Sequence, residues 1–140
     1  MNNPIAHQDM STTTEKRVHI NDLHSDHMIW LNTLAFCKEE IGIFEKRMGE
    51  IAQRNTHQEV MAELEHFQNQ YIRQREVIDE LRHDLKQHEN GLAKEAKEHP
   101  IAVDHRLFHD HSGQRDAMQT FEKLYRELKD EFMAWLAKRM

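Results

Sequence analysis

The stretch Ile20–Ile51, INDLHSDHMIWLNTLAFCKEEIGIFEKRMGEI, decides the fold. One stripe runs through it: Ile20, Leu23, His27, Trp30, Leu34, Cys37, Ile41, Phe44, Met48 and Ile51. The steps alternate between three and four residues without a miss. At 3.6 residues per turn, that rhythm returns each member to one face of an α-helix, the pattern of a coiled-coil seam. Lys38, Glu39, Glu40, Glu45, Lys46 and Arg47 fall beside the stripe and read as its solvated flank.

The same rhythm recurs twice. A second stripe is Val60, Leu64, Phe67, Tyr71, Gln74, Ile78, Leu81, Leu85, His88 and Leu92. A third is Leu107, His111, Gln114, Met118, Phe121, Tyr125, Leu128, Phe132 and Trp135. Stop and start signals bracket them. Asn21 or Asp22 can cap the first helix, and Thr56 with Glu59 matches a capping box at the start of the second. Pro100 ends the second, and Asp104 can cap the third. The helices therefore span roughly residues 21–54, 56–98 and 104–139. Asn90-Gly91 is an alternative stop for the second, and Ser112-Gly113 is a place where the third can bend or restart. Short connections make consecutive helices antiparallel neighbours, so the expected fold is all-α, an up-down-up bundle of three long helices with coiled-coil-like packing. Residues 1–18 are polar and aperiodic and read as a flexible tail; 19–140 form one domain.

Composition narrows the function classes. Hydrophobic residues make up 38% and charged residues 31%, with four Gly and two Pro, which suits long amphipathic helices rather than a β-sandwich. A net charge of −6 disfavours nucleic acid and anionic membrane surfaces as partners. No apolar run approaches the ~20 residues of a membrane span, and the N-terminus lacks the apolar core of a secretory signal. The single cysteine, Cys37, lies on the first stripe, where a buried, inert thiol is expected. A chain without an intramolecular disulfide suits a reducing compartment, and a cytoplasmic location is expected.

Nine of the twelve histidines fall at the end of the bundle away from the first turn: His19, His24, His27, His83, His88, His99, His105, His109 and His111. His27, His88 and His111 stand on the stripes themselves, one per helix. Counting out from the turns places roughly 83 opposite 27, and roughly 114 opposite 88. Three neutral imidazoles gathered in this way suit a divalent transition metal such as Zn, Cu, Ni or Fe, with His24 as candidate fourth ligand. The alternative is that a wet bundle end tolerates histidine. The opposite end collects Phe44, Met48, Leu64, Phe67, Tyr71, Phe132 and Trp135, an ordinary core.

Other chemistry is poorly represented. Glu63-x-x-His66 and Glu80-x-x-His83 match the motif of ferritin-type di-iron bundles, but both lie on the second helix and point to different faces. His105-x-x-x-His109 has no His-x-x-x-Glu to accompany it, as hemerythrin-like proteins require. There is no phosphate-binding glycine loop and no nucleophile elbow. Gln74 and Gln114 are polar intrusions on the stripes, able to pair with each other or to set register. No catalytic signature stands out. The first expectation is therefore a non-enzymatic helical interaction or scaffold module that self-associates as a homodimer or docks a helical partner. The second is a transition-metal-binding bundle, and the third a histidine-based pH-responsive switch.

Overall fold

The computed structural model describes residues 4–54, 57–98 and 105–139, with side chains described for 21–54, 57–98 and 109–139. Helix α1 spans Pro4–Arg54, α2 spans Gln58–Glu98 and α3 spans His105–Arg139. The three helices pack against one another, and the described residues contain no strand. Thr56, Pro100 and Asp104, read as boundary signals, lie outside the described residues, as do the side chains of Ile20 and Leu107.

One boundary differs from the sequence reading, and one alternative stop is not used. Helix α1 reaches back to Pro4, through most of the segment read as an aperiodic tail. Proline suits the first helical turn, where its missing N–H costs nothing, and neither glycine nor a second proline interrupts the chain before Gly42. Helix α2 continues through Asn90-Gly91 to Glu98, because the stripe resumes at Leu92, which is buried. Likewise α3 passes Ser112-Gly113 as continuous helix.

The stripes are the core. Leu34, Ile41, Met48, Leu64, Tyr71, Ile78, Leu85, Met118 and Phe132 are all nearly inaccessible to solvent. Each such side chain contributes about 1.5–3 kcal/mol on leaving water. At the level of the connection between α1 and α2, Phe132 touches Phe44, Phe67, Tyr71 and Trp135, with ring centroids 5.1, 5.4, 5.4 and 6.0 Å away. Glu63 ties α2 to α3 there by accepting hydrogen bonds from Trp135 Nε1 at 2.6 Å and Arg139 Nη2 at 2.7 Å.

Polar pairs record how the helices lie alongside each other. Lys38 reaches Asp79 at 2.8 Å and Glu45 meets Arg75 at 2.7 Å, so positions rising along α1 meet positions falling along α2. On α3, Tyr125 and Lys129 both bond the Glu40 carboxylate of α1, at 2.7 and 2.9 Å. These contacts carry the register toward the end where His27, His88 and His111 lie.

Candidate metal centre

His27, His88 and His111 are buried, with 0, 8 and 2% of their surface exposed. Histidine seldom sits so deep without partners for both ring nitrogens. Here the rings face one another. His27 Nε2 lies 3.0 Å from His88 Nδ1 and 3.3 Å from His111 Nδ1. Ligating nitrogens from all three residues fall within 4.8 Å of one another. Tetrahedral bonds of 2.0–2.1 Å to zinc put neighbouring ligand atoms about 3.3 Å apart, so the two shorter spacings match the edges of such a site.

Two carboxylates hold the outward nitrogens. Glu89 Oε2 lies 2.5 Å from His27 Nδ1, and its other oxygen pairs with His24 Nδ1. Asp26 Oδ2 takes His111 Nε2 at 3.0 Å and Arg115 Nη2 at 2.9 Å. A carboxylate at the outer nitrogen fixes the proton there and turns the lone pair of the inner nitrogen toward the cluster. Each carboxylate neighbours one of the three histidines in sequence and grips a histidine of another helix: Asp26 precedes His27, and Glu89 follows His88.

The electrostatics of these groups follow from the same contacts. Burial pushes the Glu89 carboxyl up, but hydrogen bonds from His27 and His24, with their charges, leave it below the usual value. Burial likewise raises Asp26, and His111 and Arg115 more than reverse it. For His111, burial pulls the pKa down and outweighs the bond to Asp26, which raises it. Burial of the ring thus favours neutral His111, beside an Asp26 carboxylate that Arg115 also holds.

Gln114 completes the inner face. Its Nε2 donates to the backbone carbonyl of Asp84 at 3.2 Å, which turns Oε1 toward His27 Nε2, also at 3.2 Å. Gln74 Oε1, by contrast, is buried without a hydrogen-bond partner, so it does not pair with Gln114. Trp30 roofs the cluster, stacked on His111 and 6.0 Å from His27.

The sequence reading brings together His27, His88 and His111, and the structure does the same. His24 stands apart, half-exposed and bound to Glu89 rather than to the three buried rings. His109 is exposed, and the side chain of His105 lies outside the described residues. Glu63 serves Trp135 and Arg139, while Glu80 faces Arg73 at 3.6 Å, so neither Glu-x-x-His motif joins the cluster. The estimated facing position for His27 falls short: it meets 88 and 89 rather than 83. Helical side chains lean toward their own N-terminus, which displaces both partners of such a pair to higher numbers. Asp26, Glu89 and the inward turn of Gln114 were missed. The sequence signal for the carboxylates was their adjacency to stripe histidines.

Comparison with protein families, curated proteins and solved structures finds no match to this chain.

Proposed function

We propose that this chain is a transition-metal-binding helical bundle that holds a divalent ion between His27, His88 and His111. One observation carries the reading: three buried imidazoles, one from each helix, each bring a ring nitrogen within 4.8 Å of the others. With Glu89 on His27 Nδ1 and Asp26 on His111 Nε2, neutral rings can keep their protons on the outer nitrogens and turn electron pairs inward, where Gln114 Oε1 also lies. In that tautomer the set repels itself unless a cation or a shared proton lies among its members. A metal ion satisfies all of them at once, and imidazole nitrogen with carboxylate support is a common way to hold Zn²⁺, Cu²⁺, Ni²⁺ or Fe²⁺. The bundle suits the task if its helices run antiparallel, up-down-up, with coiled-coil-like packing. The falling-against-rising pairs of α1 and α2 support that topology.

The test is a calorimetric titration with Zn²⁺, Cu²⁺ and Ni²⁺, with thermal melts in parallel. One ion per chain should bind, and free metal at about a hundred times Kd should stabilise by about 2.7 kcal/mol. His27→Ala should abolish both effects, while the His105→Ala/His109→Ala double variant keeps them. Equal loss in both variants, or no stabilisation of wild type, overturns the reading.

A second reading, self-association as a homodimeric interaction module, is favoured by a separate observation. Ile29, Phe36 and Ile43 recur every seven residues along α1 and are 60, 60 and 63% exposed. A heptad strip on an outer face fits the same strip on a second copy of the chain. Light scattering tests it: wild type should exceed the 16.8 kDa monomer mass, and Phe36→Glu should return to it.

A further inference from the structure

We propose that the metal held by the three histidines has an exchangeable fourth position, which opens into the cleft between α2 and α3 and accepts small neutral donors from solution. The proposal rests on the metal-binding reading above and adds a ligand to it. Three observations support it.

First, among the described residues the buried cluster contains three histidines and no fourth His, Cys, Asp or Glu. Structural zinc sites usually close with four such ligands, whereas sites that bind exogenous molecules keep three protein ligands and one replaceable position. Second, the further donor beside the cluster is weak. Gln114 Oε1 lies 3.2 Å from His27 Nε2, a tetrahedral edge, but a neutral amide oxygen is a poor ligand for a zinc-like ion beside imidazole. Its other end is held by a single hydrogen bond to the Asp84 carbonyl. Third, the cluster borders open space. A cleft of about 420 Å³ runs between α2 and α3, and both His88 and Gln114 line it. A small molecule in the cleft therefore lies next to one ligand and to the side chain it must displace.

The lining also selects the donor. Asp84 and Asp110 line the cleft with His109, so its ionisable lining is mainly acidic, while Leu81, Leu85, Ala117 and Met118 supply an apolar wall. Carboxylates oppose the entry of an anion despite the positive charge of the ion beyond. A small neutral nitrogen or oxygen donor meets no such barrier.

Co²⁺ in place of the native ion makes the fourth position visible through its d–d absorption bands. Imidazole, the neutral probe, should shift those bands saturably while the cobalt stays bound, and azide, the anionic probe, should bind about tenfold more weakly. Gly113 lines the same cleft, and a Cβ built on it meets nothing within 4 Å, so Gly113→Leu fills the space without a clash at its base. That variant should keep the cobalt spectrum and lose about tenfold or more in imidazole affinity. Gln114→Ala, which removes the competing amide, should bind imidazole more tightly than wild type.

Bands that neither probe moves, with cobalt bound, overturn this inference and leave the metal site standing as a closed one. Unchanged imidazole affinity in Gly113→Leu overturns the cleft as the route, and azide binding as tightly as imidazole overturns the charge selection. Failure to bind cobalt removes the metal-binding reading as well.

Discussion

The Trp30 indole stacks on the His111 imidazole, with ring centroids 4.9 Å apart and planes inclined by 29°. Trp30 is therefore a reporter for whatever His111 binds. Cu²⁺ should quench part of the tryptophan emission and saturate at one equivalent, while Trp135, at the other end of the core, should keep its share. Trp30→Phe should remove the quenchable fraction. Quenching that survives this substitution would place the ion elsewhere.

The aromatic end sets the stability. Phe132 is fully buried among four other rings, so Phe132→Ala should cost about 3–5 kcal/mol, the usual scale for emptying an aromatic core site. Phe67→Ala and Trp135→Ala should follow on the same scale. Denaturant unfolding measures all three, with Ile72→Ala, at an exposed position, as the near-neutral control.

Acid should loosen the same end through Glu63. Hydrogen bonds from Trp135 and Arg139 hold its carboxyl below the ordinary 4.5, against a smaller upward push from burial. A depressed carboxyl pKa stabilises the fold above the unfolded-state value and loses that contribution as pH falls through the folded one. Melting temperatures from pH 6 down to 3 should therefore fall more steeply for wild type than for Glu63→Gln. Parallel curves would show that the clasp adds nothing measurable.

Cys37 should be inert while the protein is folded. Burial, reinforced by the nearby Glu40 charge, pushes its thiol up to about 11. Thiolate is the reactive form, so labelling by a disulfide reagent at pH 8 should be slower in the native protein than in guanidinium by about a hundredfold. Comparable rates would mean that the first stripe is not packed as described.

The periodicity made most of the core legible. A strict alternation of three and four steps leaves little choice about which face is buried, and Leu34, Ile41, Tyr71, Ile78 and Phe132 follow it. The same rule placed His27, His88 and His111 inside, although Trp30, Gln74, Leu81 and Gln114 on the same stripes are only partly buried. Chain direction across the gaps was less legible. Asn90-Gly91 offers an alternative stop because glycine favours helix ends, and the helix passes it because burial of Leu92 outweighs a local preference of about 1 kcal/mol. Carboxylate partners such as Asp26 and Glu89 lie beside the stripe, where most acidic residues are solvated. Only the three-dimensional register shows which of them reach a neighbouring helix.

His88 and His111 stand 61 and 84 residues from His27 along the chain. To gather these three side chains, an unfolded polypeptide must close two large loops. By analogy with a cross-link, closing a loop of about 60 residues costs chain entropy worth about 4 kcal/mol. An ion shared by the three rings would therefore discriminate strongly against the denatured chain, and its departure and the fraying of this end would become one event. A chelator would then act on the bundle as a reductant acts on a disulfide-tied domain, cutting a knot that the sequence ties only when all three helices are in place.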